Sequence, residues 1–277
     1  LGNLWAFDVS NADPDKWKIK YGTSTAPKPL FKACEGSTCP PTQSITAAPQ
    51  IGKHPAGGLM IYFGTGRYFD VNDNMFEDTT PAANSFYGIR DNNVEVEKNE
   101  LVAQAILQEI TVSTDFVSRV TSTNPVDYAT AQGWYMPLLS PEGVSKQGER
   151  VISQALLRGG RIIFTTMTPP QNDCIWGGKS WIMELNAIDG NRLNVIPFDT
   201  NNDKQFTEAD NVTYNDSSTI ISGVQKPSLG VIFSTPAVIT HTTRAEGKYV
   251  TGTGGSVGMF RESASRFSGR MSWRKLK

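Results

Sequence analysis

Ser180-Trp181-Ile182-Met183-Glu184-Leu185-Asn186 is an aromatic-bearing run with the side-chain alternation of a β-strand, and the polar turn Ile188-Asp189-Gly190 follows it. Two other segments have the same form, Gly2-Asn3-Leu4-Trp5-Ala6-Phe7-Asp8 and Ser85-Phe86-Tyr87-Gly88-Ile89-Arg90-Asp91. Branched and aromatic side chains favour a pleated backbone, whereas Asp, Asn and Gly favour turns. This recurring segment decides the fold class because it predicts an all-β chain.

A second segment type alternates with the first along the chain. It consists of an alternating run, a Gly-rich or polar turn, and an apolar strand that ends in small residues. It covers 45–67, 150–168 and 232–255. One segment of each type supplies about four short strands, which is the content of one propeller blade.

The repeat resembles the quinoprotein-like β-propeller, whose blades often end in a strand reading like residues 4–8, Leu-Trp-Ala-Phe-Asp. We count about three to four blade equivalents, and a closed ring needs at least about four. We therefore expect residues 1–277 to form one modified β-propeller domain that is incomplete or a fragment. An unrelated β-sandwich is the alternative.

Composition limits the classes of partner. The 277 residues carry 26 basic and 27 acidic side chains, for a formal net charge of −1. Without a basic surplus, neither nucleic acid nor an anionic membrane is expected as a partner. No apolar run is long enough to predict a membrane span, and no signal peptide opens the chain. Because Leu1 opens directly into a predicted strand, we expect a piece of a longer protein.

Residues 199–210 have the spacing of a twelve-residue calcium loop, with oxygen-bearing side chains at positions 1, 3, 5 and 12. Calcium takes about six to eight oxygen ligands, and a chain that wraps one ion presents alternate side chains inward. Position 7 would offer its backbone carbonyl, and position 9 a direct or water-mediated contact. The predicted ligands are Asp199, Asn201, Asp203, Gln205, Thr207 and Asp210.

Two residues depart from the calcium-loop pattern. Lys204 stands at position 6, where the pattern has Gly for a sharp turn, and Asp210 is shorter than the usual closing Glu. The flanking sequence predicts β elements rather than a helix pair. The alternative interpretation is a solvated turn rich in Asp and Asn. A second oxygen-rich run, Asp70 with Asn72, Asp73 and Asn74, is interpreted as a polar loop, because Pro81 would stand at its position 12.

The three cysteines are Cys34, Cys39 and Cys174. A local disulfide between Cys34 and Cys39 is plausible and would suggest an oxidising compartment. Zinc would need more ligands than the scattered His54 and His241 can add. The sequence leaves open whether Cys174 is free or paired.

No catalytic apparatus is visible in the sequence. Neither histidine has a nucleophile nearby in sequence, so we expect no enzyme. The alternative is a dehydrogenase that depends on pyrroloquinoline quinone, or the remnant of one, because its propeller repeat is similar and it also uses calcium. Such enzymes need a full ring of blades, and many carry an adjacent cysteine pair that this chain lacks.

Several blocks together resemble the PilY/PilC family of type IV pilus tip and biogenesis proteins. They follow one another in the family's order, and together they are specific. The blocks are residues 63–69 with Asp73, 85–91, 133–135 with 148–153, 164–174 with 177–185, and 269–274.

The resemblance implies a C-terminal propeller domain in which calcium regulates pilus extension and retraction, or adhesion. It implies minor pilins at the pilus tip as partners, and a host-surface receptor as a further candidate. It implies a bacterial pilus tip or cell-surface location, in the outer membrane or periplasm. The family's loop tends to carry its last carboxylate at position 9, where this chain has Thr207. The Arg-Gly-Asp triplet of some members is absent here.

Overall fold

The structure, a computed structural model, describes residues 2–264 except 37–38, 40, 71–72, 75–82, 140, 142–146, 171–177, 233, 242–244 and 254. The first strands are β1 Asn3–Leu4, β2 Phe7–Asp8, β3 Lys18–Ile19, β4 Tyr21–Gly22, β5 Pro27–Lys28, β6 Phe31–Lys32, β7 Gln50–Lys53 and β8 Leu59–Gly64. The middle strands are β9 Ser85–Asp91, β10 Val102–Ala103, β11 Ile106–Thr111, β12 Val117–Thr121, β13 Gly133–Pro137, β14 Leu156–Arg158 and β15 Arg161–Thr168. The last are β16 Lys179–Asn186, β17 Val212–Tyr214, β18 Ser217–Thr219, β19 Gly223–Gln225, β20 Ala237–Thr240, β21 Ala245–Thr251 and β22 Val257–Ser263. Short 3-10 helices cover Pro14–Lys16, Lys98–Glu100, Glu208–Asp210 and Pro227–Leu229.

Three larger sheets dominate the described part of the chain. One has five strands in the order β10-β13-β9-β8-β7, one has six in the order β11-β12-β19-β16-β15-β14, and one has three in the order β20-β21-β22. Neighbouring strands are antiparallel except β10 and β13. The remaining short strands form two-stranded ribbons. Several open, antiparallel sheets in one chain fit the incomplete propeller that the repeat predicts.

The six-stranded sheet is buried on both faces. Phe164 of β15 stacks on Phe86 of the five-stranded sheet, with ring centroids 3.8 Å apart, and Trp181 packs in the same cluster. On the opposite face, Ile163 and Ile182 pack in a cluster that includes Phe260 of the three-stranded sheet. Because both faces are covered, every residue of β15 is buried, and its sequence does not alternate between apolar and polar.

Close packing within and beside the five-stranded sheet requires glycine at particular positions. A Cβ on Gly64 of β8 would lie 2.2 Å from Cβ of Val151. A Cβ on Gly88 of β9 would lie 2.6 Å from the indole of Trp134. A residue larger than glycine at either position would force the neighbouring side chain to move.

Two stretches differ in detail from simple strands. Residues 2–8 form two short strands with different partners, since β1 pairs with β6 and β2 pairs with β3. Residues 94–112 contain a 3-10 helix, β10 and β11, so strands and connections are mixed within this stretch.

The local disulfide between Cys34 and Cys39 is formed, with the two Cα atoms 5.5 Å apart. The buried Lys98 ammonium donates to the backbone carbonyls of Cys34 and Glu35. Cys174 lies outside the described residues. Asp73 accepts hydrogen bonds from the backbone amides of Phe69 and Asp70, and Asn72 of the same run lies outside the described residues.

Candidate metal centre

The 199–210 loop begins where the chain pairs with the edge of the three-stranded sheet. Phe198 forms an isolated antiparallel bridge with Glu262 of β22. The Asp199 amide donates to the carbonyl of Arg261 over 3.1 Å. The loop ends in the 3-10 helix Glu208–Asp210, directly before β17. It therefore connects β elements, as the sequence predicts.

Asp199 is buried, with 2% of its surface exposed. Its Oδ2 accepts a hydrogen bond from the Lys204 amide at 2.9 Å and lies 3.7 Å from Nε of Arg261. Its Oδ1 is buried without a hydrogen-bond partner among the described residues. Burial raises the pKa of Asp199, and the nearby charges of Asp210 and Asp203 raise it further. A buried, unpartnered carboxylate oxygen next to other carboxylates is suited to a cation.

The turn at positions 4 to 6 has the left-handed backbone that a calcium loop needs. Asn202 has φ 62° and Lys204 has φ 67°. Lys204 thus takes the conformation that glycine would adopt at position 6, at a cost of roughly 1 kcal/mol for a residue with a Cβ. The departure at this position changes the strain of the loop and leaves its path intact.

Asp210 closes the loop through hydrogen bonds to the backbone. It is fully buried. Its Oδ1 accepts from the amides of Thr200 at 2.8 Å and Asn201 at 3.4 Å, and its Oδ2 accepts from the Thr207 amide at 3.1 Å. The Thr207 hydroxyl caps the following 3-10 turn by accepting from Ala209. Asp210 therefore joins the two ends of the loop.

Asn201, Asp203 and Gln205 form the exposed rim of the loop. Oδ1 of Asn201 accepts from the Asp203 amide at 2.9 Å, and Oδ1 of Asp203 accepts from the Gln205 amide at 2.7 Å. Successive turns of this kind hold short polar side chains close to their own backbone. Because the rim is exposed to solvent, water can replace these hydrogen bonds if the side chains turn toward an ion.

Within the described residues, no three carboxylate, imidazole or thiol side chains are already gathered tightly enough to form a metal site. The residues still fit calcium. The path of the loop, the left-handed turn and the unpartnered Oδ1 of Asp199 are in place. The exposed rim would have to turn inward, and Asp210 would have to share carboxylate oxygens that already accept backbone hydrogen bonds. Hard oxygen donors of carboxylate, amide and carbonyl type suit this cation.

The sequence does not reveal an open groove of about 1290 Å³ beside the loop. One wall consists of Lys204 to Thr207, and the other includes the β14–β15 turn at Gly159 and Gly160. Arg261 lies at the border, since it lines the groove and faces Asp199. These residues are distant in sequence, so no local motif could have identified the groove.

Comparison with known proteins gives consistent relatives. Residues 1–124 match a family model described as "PilY1 beta-propeller domain". A type IV pilus biogenesis factor PilY1 homolog of Xylella fastidiosa is 36% identical over 192 residues, which is 68% of this chain and 13% of that protein. PilY1 of Pseudomonas aeruginosa strain PAO1 is 28% identical over 264 residues, which is 83% of this chain and 22% of that protein. This chain therefore spans less than a quarter of the length of these relatives.

The crystal structure of the Pseudomonas aeruginosa PilY1 C-terminal domain has a similar fold. The TM-score is 0.74 at 22% identity, and the match covers 94% of this chain and 55% of that chain. At this level of sequence identity, the structural similarity is evidence for the fold alone. With the open sheets, it confirms the prediction of an all-β, quinoprotein-like propeller.

Proposed function

This chain belongs to the PilY1 family of type IV pilus biogenesis factors, and on that premise we propose that it is a non-enzymatic, calcium-binding propeller domain that acts in pilus biogenesis. The observation that carries the calcium assignment is the buried Oδ1 of Asp199, which has no hydrogen-bond partner within the described residues. It lies at position 1 of a loop whose turn and closing contacts are already built.

Calcium would be held by the six predicted ligands at the loop. Its two positive charges would offset the repulsion among the carboxylates of Asp199, Asp203 and Asp210, and would draw the exposed rim inward. Because the rim is part of the molecular surface, the ion would order one conformation of a potential contact surface. The proposed consequence is calcium control of pilus extension and retraction, or of adhesion.

The proposed partners are minor pilins at the pilus tip, with a host-surface receptor as a further candidate, and the proposed location is the tip or the extracytoplasmic cell surface. The family membership supports this assignment. In the part of the chain that the structure describes, no helix combines the length and apolar character needed to cross a bilayer.

Calorimetric titration of the chelated domain with calcium tests the site. We expect one-site binding with a Kd of about 10⁻⁷–10⁻⁵ M, the range of sensor loops. Asp203→Ala should abolish it, whereas the control Asp115→Ala, which removes an exposed carboxylate elsewhere, should bind like the wild type. Unchanged binding by the Asp203 variant would show that the ion is held somewhere else.

The non-enzymatic assignment has its own test. The domain is incubated with pyrroloquinoline quinone and calcium, and dye-linked alcohol oxidation is measured. We expect no turnover above that of the quinone alone. Turnover that depends on the protein would contradict the proposal and favour the quinoprotein alternative.

A further inference from the structure

The groove beside the metal centre is lined by cations. None of its described lining residues is Asp or Glu, and three are cationic: Arg161, Lys204 and Arg261. Arg161 is buried and already paired with Glu184 at 2.9 Å, so Lys204 and Arg261 are the residues that give the groove its positive charge. The whole chain has a net charge of −1, so a positive groove is a local feature and not a reflection of composition. A concave surface of one sign concentrates ligands of the opposite sign.

The remaining lining of the groove is suited to a peptide. Leu193, Ile196 and Phe206 supply apolar surface, and Val195 is 46% exposed. Amide side chains also line the groove, at Asn186, Asn194 and Gln205. Apolar patches with a few placed amides suit an extended chain, whose own amides need partners and whose side chains need shallow pockets.

Arg261 connects the groove to the metal centre. Its Nε lies 3.7 Å from Oδ2 of Asp199, and about a quarter of its side chain is exposed. An ion on Asp199 would compete with the guanidinium for the same carboxylate and would repel it. Arg261 would then turn toward the groove, where it adds an unneutralised positive charge.

We propose that this groove binds an acidic, extended peptide segment of a partner protein, and that calcium strengthens the binding by releasing Arg261 from Asp199 into the groove. The calcium dependence rests on the proposed function, whereas the groove itself stands on its lining. Residues 265–277 do not suit the groove as a ligand, because they are cationic. They include Arg266, Arg270, Arg274, Lys275 and Lys277, without an acidic residue.

Fluorescence anisotropy tests the groove with two labelled peptides. One alternates Glu with Val, and the other has Gln in place of every Glu. We expect the Glu peptide to bind, the Gln peptide to bind at least about tenfold more weakly, and calcium to tighten Glu-peptide binding about fivefold over chelator. Equal binding of both peptides would overturn the assignment of an acidic ligand.

Arg261→Gln tests the connection, because it has opposite effects on the two ligands. Peptide binding in calcium should weaken about fivefold and lose its calcium dependence. Calcium binding, measured by calorimetry, should tighten, since a competing cation is gone. A misfolded variant would weaken both. The matched control is Lys53→Gln, which removes an exposed charge on β7, away from the groove, and should change neither.

The outcomes separate this inference from the proposed function. Calcium binding at the loop without any Glu-peptide binding would overturn the groove assignment and leave the calcium site standing. Peptide binding without calcium binding would support the groove and overturn the calcium site together with the switch. Tightening of peptide binding by calcium in the Arg261 variant would show that another residue transmits the signal.

Discussion

Arg119 is fully buried because several groups share its charge. Its guanidinium donates two hydrogen bonds to Glu149, at 2.6 and 2.7 Å. It donates two more to Glu109, and it lies 3.9 Å from the centre of the Trp181 ring. This cluster packs β12 against the chain that precedes β14. A buried ion pair of this geometry costs a great deal when one partner is removed.

Glu149→Gln should lower the free energy of unfolding by about 3–5 kcal/mol, because it leaves the buried Arg119 with the partly exposed Glu109 alone. Urea denaturation followed by tryptophan fluorescence measures the loss. The exposed Glu208→Gln is the control and should stay within about 0.5 kcal/mol of the wild type. A similarly small loss for the Glu149 variant would contradict this account of the cluster.

Asp210 and Asp203 should behave differently when calcium is absent. Asp210 accepts hydrogen bonds from three loop amides and is buried, whereas Asp203 is on the exposed rim. In chelator, Asp210→Asn should therefore destabilise the domain by about 1–3 kcal/mol, since its amide donor faces the Thr207 amide. Asp203→Ala should cost less than about 1 kcal/mol. Melting curves of both variants in chelator check this order.

At the scale of elements, strands whose pattern is strong were predictable from sequence. The Trp181 segment, the Phe86 segment and the apolar run before Gly64 are β16, β9 and β8. The two strands within residues 2–8 were harder to predict, because the chain changes strand partner at Trp5 and Ala6. Such a change does not alter the alternation of apolar and polar side chains. The turn at Lys204 could not be predicted from residue preferences, because these preferences assign a positive φ to glycine and Lys204 adopts one.

The buried charges were not predictable for a related reason. Lys248 of β21 and Glu262 of β22 carry charges that a reading of the sequence would place in solvent, yet both are fully buried and paired with each other. Whether a polar strand face meets water or another sheet depends on neighbours that are distant in sequence. The loop ligands could be proposed from their spacing in sequence. The proposed role of Arg261 could be inferred only from the fold, which brings it next to Asp199 and the groove.

Gly64→Ala should destabilise the domain by about 2–4 kcal/mol, because the new Cβ overlaps the side chain of Val151. The second variant carries Val151→Gly as well, which removes all three overlapping atoms of that side chain. Its loss should be smaller than the sum of the two single losses. Urea denaturation of all three variants gives the coupling energy. Additive losses would show that the two positions do not touch in solution.

For the whole molecule, acid should weaken the fold through carboxylates that the fold keeps ionised. Burial alone would raise the pKa of Asp91, but hydrogen bonds from Tyr21 and Lys20 hold it below the usual 3.8. Burial would likewise raise the pKa of Glu149. The charge and hydrogen bonds of Arg119 outweigh that effect and hold the pKa below the usual 4.5. A carboxylate whose pKa is lowered by folding stabilises the fold at any pH above its unfolded-state pKa. This stabilisation is lost as the pH falls through its folded-state pKa.

We therefore expect the free energy of unfolding to fall as the pH drops from about 5 to about 3. Asp199 opposes this trend, since its pKa is raised in the fold. Asp91→Asn should lower stability at neutral pH and flatten the acid slope, because that position no longer titrates. Urea midpoints across this pH range measure both effects. If the urea midpoints of the variant and the wild type changed with pH in parallel, Asp91 would not contribute to the acid slope.

The pairing of Phe198 with Glu262 has a mechanical consequence. A pull on β22 along its axis would load the Asp199–Arg261 and Ser263–Pro197 backbone hydrogen bonds, at 3.1 and 2.8 Å, in shear. Asp199, the first proposed calcium ligand, is part of this pairing, so an ion held by the 199–210 loop would stiffen the segment that pairs with β22. Force–extension curves should show a higher rupture force for β22 in calcium than in chelator, and equal forces would show that the ion bears no load.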